Sequence, residues 1–290
     1  MYNFSRYLEP LRVADALELA HKETNPVLIA GGTDLLIKMR ESRQADTTLI
    51  SLSKINDLKT IYKQKDGSIR IGSMATFSQI MGNTIINEEI PILAVAAKSL
   101  AGPQIRNVAT IGGNICNGAP SADSAPSLLA LNGQLEFASL NGIRIISIND
   151  FYLGPYKTSK RPDEILTSII IRPLDRYFGG HYIKFSRRKA MDISTLGCAV
   201  TCALNDDGTT IKYSRIALGT AAPTPIRCVE AEKISRNKTL SNNLLKEIGE
   251  AALKEANPRT SWRATKEFRQ ALVEELVPRA LRVAYEQARG

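Results

Sequence analysis

The chain has 290 residues, 43% hydrophobic and 23% charged, with a formal net charge of +9. That balance is ordinary for a globular protein and excludes disorder, and the length exceeds one usual core, so two domains are expected. No apolar run approaches ~18 residues, and the first ten residues lack a secretion-signal centre, so no membrane span and a cytoplasmic location are expected.

Other totals narrow the chemistry. The Lys and Arg residues are spread along the chain and Trp262 is its one tryptophan, which counts against a nucleic-acid-binding protein. Cys116, Cys198, Cys202 and Cys228 form no Cys-x-x-Cys, and His21 and His181 are far apart in sequence. No metal site or iron–sulfur ligation is expected from this chain itself.

Val13 to Glu23 reads as an amphipathic helix, with Val13, Ala16, Leu17 and Ala20 on one face and Thr24-Asn25-Pro26 as its stop. Val27 to Ala30 is a short buried strand. Gly31-Gly32-Thr33-Asp34 follows, then a short helix over Leu35 to Arg40. Strand, glycine turn and helix start aim backbone N–H groups at an anion. The tetrapeptide alone suits equally a tight turn with Thr33 or Asp34 as helix cap. Thr47 to Leu52 is a strand that closes a small βαβ-type lobe.

Ile61 to Gln64 and Ile69 to Gly72 flank an Asp66-Gly67 turn and form a hairpin. Ile90 to Leu100 is a mostly buried helix with Pro91 in its first turn. Arg106 suits either a phosphate partner or a structural bond to loop carbonyls. Ala109 to Ser127 reads as a polar glycine loop delivered onto a helix beginning near Ser124. Gln134 to Ser139 and Ile143 to Ile148 make a second hairpin around Asn141-Gly142. Phe151 to Pro155 is irregular, and Glu164 to Ile171 is a strand.

Gly179-Gly180 marks a lobe boundary near residue 178. Tyr182 to Phe185, Ser194 to Leu204 and Ser214 to Thr220 are antiparallel strands, and 229–235, 240–256 and 262–288 are helices. The fold class is α+β, with domains over 1–176 (lobes 1–57 and 58–176) and 177–290. There is no nucleophile elbow, Walker loop or metal-spaced histidine pair. Two glycine loops after strands suit one extended, pyrophosphate-bridged ligand, so a dinucleotide cofactor rather than a side chain is expected to carry the chemistry.

Several stretches resemble one known family. Ala30-Gly-Gly-Thr-Asp34 with Ala109-Thr-Ile-Gly-Gly-Asn-Ile115 is similar to the paired FAD loops of the molybdenum hydroxylase flavoproteins. Ala101-Gly-Pro-Gln-Ile-Arg-Asn107, Ser121-Ala-Asp-Ser-Ala125, Met191-Asp-Ile-Ser-Thr195, Ala221-Ala-Pro-Thr-Pro-Ile-Arg-Cys228 and Ser261-Trp-Arg-Ala264 resemble the separate FAD-binding subunits of the bacterial xanthine dehydrogenase branch.

The resemblance implies a two-lobed FAD-binding domain of the PCMH type before a small antiparallel sheet with helices. It implies one FAD per chain, electrons arriving from a [2Fe–2S] partner subunit, a molybdopterin partner that hydroxylates hypoxanthine or xanthine, and NAD⁺ as acceptor. Aldehyde, carbon monoxide and nicotinate are the alternative substrates. By the same resemblance, FAD is held by Val27, Leu28, Ile29, Ala30, Gly31, Gly32, Thr33 and Asp34, and by Ala109, Thr110, Ile111, Gly112, Gly113 and Asn114. Asp123 bonds a hydroxyl or polar edge of FAD, Ile165 or Leu166 meets the flavin through backbone, and Lys184 lies near the isoalloxazine. Leu100 sits over one ring face where relatives can have an aromatic residue, and Ile111 stands where relatives can carry tyrosine.

Overall fold

The structure is a computed structural model and describes residues 4–41 and 46–290. The first part runs β1 (Arg6–Leu8), α1 (Val13–Lys22), β2 (Pro26–Ile29), α2 (Leu35–Glu41) and β3 (Thr48–Ser51). Its strands form a parallel sheet in the order β1-β3-β2, with Leu8 opposite Ile50 and Ile29 opposite Ser51. All four residues of the central β3 are buried, as a parallel strand covered on both faces requires. Against this sheet α1 buries Ala16 and Leu17, and it carries Asp15 in its first turn and Lys22 in its last, complementing the helix dipole. β1 was not expected from the sequence; three residues with no apolar alternation leave little pattern to read.

The second part runs β4 (Ile61–Lys63), β5 (Ile69–Gly72), α3 (Phe77–Gly82), α4 (Thr84–Glu89), α5 (Pro91–Ser99), α6 (Pro103–Arg106), α7 (Ile111–Cys116) and α8 (Ser124–Ala130). It continues through β6 (Gln134–Ser139), β7 (Gly142–Ser147), β8 (Tyr152–Gly154), β9 (Lys157–Thr158) and β10 (Ile165–Ile171). Five of these strands form one antiparallel sheet in the order β4-β5-β10-β6-β7, while β8, within the stretch read as irregular, pairs separately with β9 just beyond it.

The expectation of a continuous loop from residue 109 to 124 is corrected, because α7 occupies part of it. Two glycines in six residues hide a helix from propensity. Tertiary bonds and a cap form it instead: Ile111 N–H donates to the Ala75 carbonyl, and Thr110 Oγ1 accepts from Gly113 N–H at 3.1 Å.

The third part contains β11 (Phe178–Phe185), β12 (Leu196–Leu204), β13 (Ile211–Gly219), β14 (Ile226–Arg227), α9 (Val229–Ser235), α10 (Asn242–Glu255) and α11 (Lys266–Arg289). Its four strands are antiparallel in chain order, and α11 packs across β11 and β12. The architecture is therefore mixed α and β, with the expected small sheet and helices at the C-terminal end. The last helix begins at Lys266 rather than at 262, because Thr265 caps it by accepting from Phe268 N–H at 3.2 Å.

Every residue of α8 is buried. It packs between α5 on one side and β12 and β13 on the other, so Leu93, Leu128, Ala199 and Ala217 share one core.

A second anchor fixes the start of β10. Glu164, just before Ile165, has a side chain only 3% exposed, and both its oxygens accept from Arg144 at 2.7 Å. Arg161 N–H adds a bond at 2.9 Å. Burial alone would push the Glu164 carboxyl up, but these donors outweigh it and hold it below the ordinary glutamate range. A lowered carboxyl stabilises the fold above its unfolded value, and that contribution is lost as pH falls through the folded one. Arg144→Met therefore should cost about 3 kcal/mol at pH 7, the scale for stranding a buried charge. The difference from wild type should shrink below pH about 4.5, the ordinary glutamate range. Guanidinium denaturation at pH 7 and at acid pH checks both parts.

Candidate cofactor site

Strand β2 delivers its glycine turn against the segment before α7. Gly31 touches that segment backbone to backbone, and a Cβ there would lie 1.9 Å from the Val108 carbonyl oxygen. Gly32 has φ +72°, in the left-handed region that glycine adopts freely. Among the described residues, the N–H groups of Gly31, Gly32, Thr33 and Asp34 find no acceptor in the chain. Backbone donors are normally paired, so four consecutive unpaired ones are a ready site for an anion with several oxygens.

The second glycine segment is different. Its amides are engaged: Gly112 N–H donates to Ser73 O at 2.8 Å, Gly113 to the Thr110 hydroxyl and Asn114 to Thr110 O at 3.0 Å. What it offers a ligand is therefore side chains and space. The Thr110 hydroxyl keeps its own proton to donate. Asn114 Oδ1 accepts from Ser124 Oγ at 2.6 Å, which leaves its amide protons available. A Cβ at Gly113 would crowd Thr110 Oγ1, at 3.1 Å, and touch Ala30 Cβ, at 3.7 Å, so the glycine keeps this side of the cavity clear.

Between the two segments lies a cavity of about 640 Å³, within the usual size for cofactor sites. Both glycine segments, Asp123, Ile165 and Leu166 line it, and so does Leu100. Three of the expected residues do not. Ile29 is buried with Met39 and Leu49 under the first sheet, and Ile111 is fully buried in the main core. Lys184 stands behind Asp123. Its Nζ donates to Asp123 Oδ2 at 2.8 Å and to Ser99 O at 3.1 Å.

Asp123 is the polar hub of the cavity wall. Its Oδ1 accepts from Ser194 Oγ at 2.6 Å and from Tyr182 OH at 3.3 Å. Burial pushes its carboxyl up, and Lys184, Ser194 and Tyr182 pull back part of the rise. Burial and the same carboxylate push the Tyr182 hydroxyl well up, so it remains a proton donor. Three donors occupy an ionised carboxylate with about four acceptor positions, leaving room for one more from a ligand.

Arg106, left open by the sequence, bonds the Lys98 and Leu100 carbonyls at 3.1 and 2.8 Å and is structural. The sequence reading missed Lys38, Cys116, Lys160 and Ile193, all of which line the cavity. Lys38 was findable, because it lies one helical turn after Asp34 on the helix that follows the turn. Lys160 and Ile193 lie outside any helix or strand and had no periodic signal.

A slot between two glycine segments, walled by all three parts of the fold and supplied with unpaired amides, is the architecture of a cofactor-binding protein. Comparison with known proteins identifies which kind. Residues 2–174 match the family model for the FAD binding domain in molybdopterin dehydrogenase. Residues 181–284 match the model for the CO dehydrogenase flavoprotein C-terminal domain. The xanthine dehydrogenase FAD-binding subunit of Escherichia coli is 42% identical over 100% of this chain and 99% of its own length. The nicotine 6-hydroxylase medium subunit of Paenarthrobacter nicotinovorans is 32% identical over 95% of each chain. A solved chain of the carbon monoxide dehydrogenase of Hydrogenophaga pseudoflava superposes with a TM-score of 0.93, at 29% identity over 99% of both chains. The chain belongs to the family of FAD-binding medium subunits of the molybdenum hydroxylases, and it is an oxidoreductase flavoprotein subunit.

The glycines separate folding from binding. Gly31→Ala forces the two segments apart and should lower the melting temperature of the flavin-free chain by several degrees, on the scale of about 1–3 kcal/mol for overpacking. Gly113→Val should lower that temperature less than Gly31→Ala does, because its tight neighbour is a side chain rather than backbone, but cut FAD affinity at least about tenfold, since its side chain enters the cavity. Thermal unfolding and flavin fluorescence titration of both variants test the contrast; normal FAD affinity in Gly113→Val refutes this placement of the ligand.

Proposed function

We propose that this chain is the FAD-binding subunit of a xanthine dehydrogenase-type complex. In that reading it accepts electrons from a [2Fe–2S] partner subunit while a molybdopterin subunit hydroxylates hypoxanthine or xanthine, and the complex delivers them to NAD⁺. The observation that carries it is the 42% identity to a xanthine dehydrogenase FAD-binding subunit over the whole chain. The family's electron relay requires partner chains for the molybdenum and iron–sulfur chemistry, and a cytoplasmic setting goes with a soluble nucleotide acceptor. The same subunit serving an aldehyde, carbon monoxide or nicotinate is the alternative. It is favoured to a lesser degree by the 32% identity to the nicotine 6-hydroxylase subunit.

The residues present fit FAD. The unpaired amides of Gly31 to Asp34 are the donors that a diphosphate needs. Thr110 and the amide of Asn114 supply neighbouring donors, Asp123 takes a hydroxyl or ring N–H, and Leu100, Ile165 and Leu166 give apolar wall against a ring system. Lys184 acts through Asp123, donating to its carboxylate and offsetting part of the cost of its burial. Bound FAD supplies the two-electron chemistry that no side chain here provides. Domain limits at 1–176 and 177–290 belong to the same proposal.

The purified full-length chain should be yellow and release stoichiometric FAD on denaturation. A colourless chain that cannot be reconstituted with FAD overturns the reading. NADH, added without any partner subunit, should bleach the flavin absorption. Absence of bleaching with FAD fully bound excludes NAD⁺ as the direct acceptor, and xanthine-dependent turnover of the co-purified complex, measured against aldehyde, carbon monoxide and nicotinate, separates the substrates.

A further inference from the structure

The cavity wall carries five charged side chains: Asp34, Lys38, Asp123, Lys160 and Asp192. Asp123 is paired with Lys184, and Asp192 accepts from the Arg188 N–H at 3.0 Å. The two lysines have no carboxylate within ion-pair distance among the described residues. Lys38 Nζ donates to Asn117 Oδ1 at 2.6 Å and lies 5.2 Å from the Tyr156 ring centre. Among the described residues, Lys160 Nζ donates only to the Arg161 carbonyl, at 2.8 Å. An ammonium has three donor protons, so each lysine keeps two.

Lys160 is the more telling of the pair. Burial pulls its ammonium below the ordinary lysine range, and the carboxylates of Glu164 and Asp163 recover only part of that. Lys160 is half-buried, and a partly desolvated cation without an ion-pair partner is a cost to the fold. It is offset when an anion occupies the cavity. The lysines come from different parts of the chain yet both line the cavity near the end of α7, where Lys38 bonds Asn117 and Lys160 lies near Cys116.

We propose that Lys160 and Lys38 form a cationic clamp on the diphosphate of the bound flavin dinucleotide, working with the neutral amides of Gly31 to Asp34. This rests on the FAD reading above and adds to it the groups that neutralise the ligand's charge. Neither lysine was among the residues expected to hold FAD. The amides alone supply direction without net charge; the lysines supply the charge.

The test uses the flavin-stripped full-length chain, titrated with FAD at low and high salt by fluorescence, for wild type, Lys38→Met, Lys160→Met and Lys160→Arg. One charge-assisted hydrogen bond is worth about 1.5–3 kcal/mol. At 1.4 kcal/mol per tenfold, each methionine variant should therefore weaken FAD by about ten- to a hundred-fold at low salt. The loss should shrink at high salt, and Lys160→Arg should keep most of the wild-type affinity. Wild-type affinity in both methionine variants overturns the clamp. So does an equal loss at both salt levels with no rescue by arginine, which marks a packing role. Wild-type protein that binds no FAD at all sinks the functional reading instead, a result visible before any variant is measured.

Discussion

Backbone contact between Gly31 and the Val108 carbonyl is the constraint on which the site depends. It joins two segments far apart in sequence with no side chain between them. Because they touch directly, the turn after β2 is held with Gly32 at φ +72° and its amides pointing away from the protein's own acceptors. A side chain at residue 31 would substitute packing for that geometry. The second segment can then commit its amides to Ser73, Ala75 and Thr110 and still serve the cavity through Thr110, Gly113 and Asn114. One glycine segment gives donors and the other gives room. Both are glycine-rich, for different physical reasons.

The remaining wall is built from interactions that cross the whole chain. Asp123 at the head of α8 draws in Lys184 and Tyr182 from β11 and Ser194 from the following connection. Ser99 at the end of α5 holds the same lysine. On the opposite side, the Arg144–Glu164 pair fixes the approach to Ile165 and Leu166. The cavity is rigid where polar groups must be aimed. It is apolar where a ring system needs contact.

Much of this was legible in the sequence, and what was not has physical causes. The glycine turn after β2 could be read because strand, Gly-Gly and helix punctuate sharply. The hairpin at Asp66-Gly67 and the helix over 229–235 needed only local rules, and both stand where the pattern put them. α7 was invisible because propensity penalises its glycines, while its cap and its bonds to Ala75 and Ser73 are tertiary. β11 was expected only from Tyr182, since Gly179-Gly180 reads as a break, yet the strand begins at Phe178 with Gly180 opposite Thr201. Lys184 was expected beside the ligand, but it does not line the cavity and bonds Asp123 and Ser99, because β11 crosses at Asp123. No spacing in the sequence encodes that. Lys160 lies on an irregular connection whose course only the folded chain reveals.

The burial of α8 on all sides bears on how this subunit can change over generations. A two-domain chain often evolves by exchanging one domain for another. Here Asp123, just before α8, lines the cavity, while α8 itself fills the core between α5 and the sheet of the third part. A transplanted C-terminal half that lacked a lysine at the β11 position would strand the Asp123 carboxylate, and one with a different face toward α8 would leave that buried helix poorly packed. The two halves are therefore bound to drift together.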